Sequence, residues 1–319
     1  MNYNTYLDIE KTQSGLHDKF QRLASVELDW YENEAMALLG KSRLPSIGDD
    51  QIIQQVLAKS PSDEKKKSTD PAYYTANTVV FLKLCRDLLK PDFIKRFEVA
   101  PGSEIDDLVV YNYHRLFQGL LFDSLVLLNE YAVRIKGVSA PYGCGKNLCQ
   151  HHVTMYQSLK QSIFGQASFH SFVEVEPDLS ISIIRQIVEL RVRRAFGVLG
   201  WFQPTTQSFE PLSMSKLFEE IKQHKSDVDF SVPFECLTRI YGWSNIFLHT
   251  GVKEYLWKPV IVKEYLKEFC LGKQNQYNVN GGVVVKESAL TAIISSLEQA
   301  HPSGAQVLQV EPEAVVKGA

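Results

Sequence analysis

The sequence predicts an all-α helical bundle completed by a small C-terminal β-hairpin and helix. Three observations lead there. Apolar residues recur at three- and four-residue intervals through most of the chain, the period of a helix with one buried face. The apolar share is 45% over 319 residues, enough material for a real core. After Lys273 the pattern changes to short β-branched runs on either side of an Asn-Gly pair.

The elements follow in order. Leu16, Phe20, Leu23, Val26, Trp30 and Leu38 mark an amphipathic helix over 16–39, with Gly40 as its stop. Asp50 to Lys59 is a short second helix. Residues 60–71, SPSDEKKKSTDP, are polar, charged and bounded by prolines, and read as a linker or long loop. Residues 72–90 form a helix with Val79, Val80, Leu82, Leu84 and Leu88 facing inward. Val99 to Gly102 is a turn, and a long helix runs from about Ile105 into the 130s. Leu116, Leu120, Leu121, Phe122, Leu125, Leu127 and Leu128 make it apolar on more than one side, hence central. Residues 137–147 are a Gly-rich loop, followed by a helix over about 150–164. Glu176-Pro177-Asp178 opens a helix over about 179–199.

Further on, Ser213 or Ser215 caps a helix carrying Leu217, Phe218 and Ile221. Pro233 starts a helix that ends at Gly251, and Pro259 sits in the first turn of the next, which ends at Gly272. Tyr277 to Val279 and Val283 to Val285 flank Asn280-Gly281 as a hairpin with a type I′ turn. A last helix covers about 288–299. The organisation expected is an N-terminal helical segment (1–59), the linker (60–71), a helical core domain (72–272), the hairpin and helix (273–301) and a flexible tail (302–319).

The totals exclude several classes. A net charge of −3 gives no basic surplus, so any nucleic-acid contact must be local. The N-terminal MNYNTYLDIEK has no apolar signal core, and no run approaches the ~18 apolar residues of a membrane span. The expectation is a cytoplasmic protein with no membrane partner, its five cysteines reduced.

Two candidate sites overlap in one loop. Ala140 to Asn147 (APYGCGKN) places Gly143, Gly145 and Lys146 as a phosphate-binding loop would, but Asn147 stands where Mg²⁺ needs a hydroxyl. Such a loop also requires a strand before it. Cys144, Cys149, His151 and His152 are thiolate and imidazole ligands of the kind zinc takes. Their spacing does not close a tetrahedron, because adjacent helical histidines point about 100° apart. Neither a metal nor another cofactor is expected.

A third candidate is LRVRRAFG. The stripe Ile184, Ile187, Val188, Ala195, Val198 includes Arg191, with Arg194 beside it. A guanidinium on an inward stripe demands an acceptor, either a structural carboxylate such as one from 216–222 or a bound anion. The fourth is IYGWSNIFLHTG, Ile240 to Gly251. Asn245 and His249 share one helix face, with Tyr241 a turn earlier, while Ile240, Trp243 and Phe247 pack inward. Histidine gives and takes protons near neutrality, so this stripe fits acid–base chemistry.

The SNIFLH stretch, Ser244 to His249, resembles the signature of the HEPN superfamily. These helical proteins serve bacterial defence, toxin–antitoxin and RNA-processing systems. The resemblance implies a metal-independent endoribonuclease acting as a homodimer. Asn245 matches the polar position and His249 the catalytic histidine. Ser244 stands where the signature has arginine and supplies no cation, so the charge would come in space from Arg191 or Arg194. Tyr241, Ser244 and Lys146 are the substrate-binding candidates. This reading expects a local basic pocket and RNA as partner. The competing expectation is a non-enzymatic helical scaffold that docks a partner subunit, with an exposed apolar patch.

Overall fold

The computed structural model describes residues 13–90, 107–144, 179–271, 282–301 and 305–316. Helices dominate these residues, joined by two small sheets. Among them, no helix is long and apolar enough to cross a membrane. The chain divides into two compact units. The first is Met1–Asp178 with Thr250–Ile261; the second is Leu179–His249 with Val262–Ala319. The division thus falls at 178/179, inside the stretch 72–272 expected to be one helical core. Proximity in space, not local composition, sets it.

In the first unit α1 (Gln13–Leu39) stops at Gly40, whose φ of +66° suits only glycine comfortably. Helix α2 (Asp49–Val56) follows. The polar stretch expected as a linker is helical, as α3 (Pro61–Lys67). Local capping overrides its composition. The Ser60 hydroxyl accepts from the Asp63 N–H, Pro61 occupies the first turn, and Lys65, Lys66 and Lys67 meet the negative end of the helix dipole. Lys67 also donates to the Gln54 and Gln55 carbonyls, tying α3 to the end of α2.

Helix α4 (Pro71–Leu88) is capped by Asp70, and α5 (Asp107–Arg134) packs on both α1 and α4. Tyr31 meets Phe81 edge-on at 4.7 Å, and Phe81 meets Trp257 at 5.5 Å. The segment 250–261 is seated in this unit. Trp257 donates to the Asn77 amide oxygen, the Leu256 N–H to Asp123, and the Tyr255 hydroxyl to Glu130 at 2.6 Å. Gly119 lets Leu256 approach, since a Cβ there would lie 2.8 Å from its Cδ1.

The second unit begins with α6 (Ser180–Phe196), which ends at Gly197 with φ +65°. A Cβ there would sit 2.3 Å from the Val310 carbonyl oxygen, so glycine is required twice over. Strand β1 (Val198–Gln203) follows, where the sequence suggested more helix. It pairs antiparallel with β2 (Ser208–Pro211) and with β5 (Gln306–Gln309). Helix α7 (Met214–Gln223) is capped by Ser213, one of the two serines expected. Strand β3 (Val228–Phe230) leads to α8 (Phe234–Thr250), which stops at Gly251. Helices α9 (Trp257–Tyr265) and α10 (Lys267–Leu271) replace the single helix expected to run to Gly272.

Strand β4 (Val283–Lys286) pairs antiparallel with β3 and parallel with β6 (Val315–Val316). Val283 to Val285 pair with Val228 to Phe230, and Tyr277 to Val279, the expected first strand of the hairpin, lie outside the described residues. Helix α11 (Glu287–Ala300) covers the expected last helix. The expected flexible tail is a correction of larger consequence, because residues 305–316 carry β5 and β6. Their backbone is stitched to the end of α6, with Val310 bonding Gly197, Glu313 bonding Arg194 and Ala314 bonding Ala195.

Candidate functional site

Helix α8 buries Leu237, Ile240, Trp243 and Phe247, which fixes its rotation. Tyr241 is then turned toward α6. There the Arg185 guanidinium donates to the Tyr241 hydroxyl at 3.1 Å and lies over its ring at 5.1 Å. The hydroxyl in turn donates to a Glu189 oxygen at 3.1 Å, and the Arg185 Nε donates to that same oxygen at 2.9 Å. Burial raises the Tyr241 pKa and Glu189 reinforces the rise, while Arg185 and the Asn245 amide pull the other way. At neutral pH the group is a phenol that both accepts and donates.

Asn245 lies one turn along. Its Oδ1 is buried and has no hydrogen-bond partner among the described residues. A buried amide oxygen left without a donor costs about 1–3 kcal/mol. His249, a further turn on, is exposed, and no hydrogen bond joins it to Asn245 among the described residues. The stripe is therefore a half-buried Arg–Glu–Tyr–Asn cluster with an exposed histidine at the helix end.

The other expected residues go elsewhere. Ser244 is fully buried and donates to the Tyr241 carbonyl at 2.8 Å, a bond inside the helix, so it contacts no substrate. Arg191 is buried as its stripe demanded. Its Nε donates to the Phe269 carbonyl and its Nη1 to Glu313 at 3.2 Å, with Arg194 on the other Glu313 oxygen at 3.3 Å. The acceptor is thus a carboxylate of the C-terminal segment, not one from 216–222. Both arginines pair with Glu313, Arg191 with its side chain 10% exposed and Arg194 with 66%. Arg191 also points roughly 120° around the helix from Arg185. Ile187, placed on the inward stripe by its spacing, is exposed.

Sequence reasoning missed Arg185 and Glu189. The signal was present as an arginine and a glutamate at i and i+4 on a helix, an ordinary surface pattern until Tyr241 is known to face it.

The Gly-rich loop is a structural turn over its described part. Helix α5, not a strand, precedes it, which removes the phosphate-loop reading. Asn129 clamps it by donating to the Tyr142 and Cys144 carbonyls and accepting from the Tyr142 N–H. Lys146, Cys149, His151 and His152 lie outside the described residues. Burial raises the Cys144 pKa, and the hydrogen bond from Asn129 pulls it back down. Among the described residues, no group of three histidine, cysteine or acidic side chains could hold a metal ion. No family model, curated protein or solved structure matches this chain.

Proposed function

We propose that this chain handles RNA through the polar stripe of α8, as a divergent metal-independent ribonuclease of the HEPN-like kind. The observation that carries the reading is the Arg185–Tyr241 contact, which sets a cation on the stripe that Ser244 leaves without one. Arg185 would stabilise the charge developing on a phosphate. His249 would move the proton as a 2′-oxygen attacks phosphorus and the 5′-oxygen leaves. Glu189 holds the guanidinium in place and shares its charge, so substrate phosphate must compete for it.

The test is cleavage of a labelled mixed RNA pool in EDTA by the whole chain, with His249→Ala and Arg185→Ala in parallel. Losing a proton-transfer group costs about 10²–10⁴-fold in rate. Cleavage that survives EDTA and falls by that factor in either variant supports the reading. No cleavage, or cleavage indifferent to both substitutions, refutes it.

A second reading, a non-enzymatic interaction protein, is favoured by one observation. Ile183, Ile187 and Leu190 lie exposed on a single side of α6, at 58%, 38% and 57%. Their spacing is close to symmetric about Ile187. An antiparallel second copy would set Ile183 of one chain near Leu190 of the other, the self-complementary geometry of a two-fold dimer. Sedimentation equilibrium decides it. A mass near the single-chain 36.2 kDa sinks the pairing of this face, and a dimer lost in Ile187→Lys, in a chain that cleaves no RNA, supports the reading.

A further inference from the structure

A groove in the first unit has a charge unlike the chain as a whole. Its volume is about 740 Å³, within the range of small-ligand sites. The last turns of α1, the segment 42–46 and one side of α4 form its walls. Met36, Leu44, Val79 and Leu82 are part of its apolar lining. Arg43, Lys83, Arg86 and Lys90 line it as well, with Glu32 and Asp87. Positive charge is in excess there even with Asp49, which reaches Lys83, counted. The whole chain is at −3.

The cations are placed to meet a phosphate. Lys83 and Arg86 lie one turn apart on α4, and Lys90 follows just past its end at Leu88, a row of three cations. Each faces a carboxylate, namely Asp49, Glu32 and Asp87 respectively. All three cationic side chains are more than half exposed, and ion pairs of that kind hold weakly in water. A dianionic phosphate can therefore take a cation from its carboxylate. Arg43 is exposed and has no ion-pair partner among the described residues, and its planar fork suits a phosphate oxygen pair. The Ser42 and Ser46 hydroxyls stand beside it for a sugar.

We infer that this groove binds a nucleotide, with its phosphate on Arg43 and the Lys83, Arg86 and Lys90 row and its base against the apolar lining. The nucleotide is either free or one unit of a single-stranded RNA. The inference does not use the α8 stripe and stands or falls without it.

The test uses the whole chain in an Arg185→Ala background, so that the α8 stripe does not contribute. The probes are AMP by calorimetry and a labelled oligouridylate of about twelve nucleotides by fluorescence polarisation, at low and at physiological salt. Arg43→Glu, a change at an exposed side chain, and Arg86→Ala are each compared with the parent, with circular dichroism reporting retained fold. Binding of either probe that weakens about tenfold in both variants is the expected result. Binding of AMP assigns the site to free nucleotides, and binding of the oligonucleotide alone assigns it to a strand. No binding of either probe at about 1 mM, or binding that both variants leave unchanged, overturns the inference.

Discussion

The sharpest energetic consequence of this structure concerns Glu254. The Lys258 ammonium lies in the interior of the first unit, its side chain 6% exposed, bonded to Glu254 at 2.6 Å and set between the rings of Tyr73 and Tyr255. Glu254→Gln keeps the shape and removes the charge. It leaves a buried ammonium with only the two rings and neutral acceptors. Breaking a buried pair from one side costs about 3–5 kcal/mol, and the retained cation–π contacts place this case at the lower end, about 3 kcal/mol. For a unit of this size about 1 kcal/mol moves Tm by about 2–4 °C, so the loss is about 6–12 °C.

Adding Lys258→Met removes the stranded charge as well and should recover most of that loss, because an apolar isostere often does as well as the pair. Urea unfolding of the two single variants and the double, followed by tryptophan fluorescence, measures the coupling. A Glu254→Gln variant within about 0.5 kcal/mol of the parent would refute the reasoning, as would a double variant less stable than the single. The pH dependence has a fixed sign. Burial lowers the Lys258 pKa, but Glu254 and Tyr73 more than offset this and the net shift is upward. The pair's contribution is therefore complete below the ordinary lysine pKa and is lost only as pH rises beyond it.

Three further predictions follow from the same geometry. Arg191→Met should destabilise the second unit by about 1.5–3 kcal/mol through the lost Phe269 and Glu313 bonds, yet leave the proposed RNA cleavage at the parent's level. A selective loss of cleavage in that variant at unchanged Tm would return Arg191 to the site. Gly197→Ala forces a left-handed backbone on alanine and a clash with the Val310 carbonyl, at a cost of about 2 kcal/mol or more in thermal unfolding. A loss below about 0.5 kcal/mol would show that the segment just after β5 yields freely. Burial pushes Tyr73 up to about 12 and Tyr255 well above its ordinary value. The unfolded chain ionises these groups first, so stability is unaffected below about pH 10 and falls above it. Absorbance at alkaline pH should show them ionising together with unfolding, and a smooth titration near pH 10 with the fold retained would contradict this.

Much of the helical framework is legible in the sequence because its signals are local. Gly40 stops α1, Ser213 caps α7, and Gly251 ends α8 as their residue types require. Asn245 and Tyr241 share a helix face for the same reason, and Arg191 shows by its place on an apolar stripe that it needs an acceptor. What only the tertiary structure decides is every partnership across distance. Strand β1 finds β5 more than a hundred residues later, β3 finds β4 beyond three intervening helices, and Glu313 from an apparent tail answers Arg191. Arg185 looks like a surface residue until α8 presents Tyr241 to it. Caps and periodicity involve residues within about one helical turn, whereas strand pairing and buried ion pairs join residues whose proximity exists only after the chain has folded.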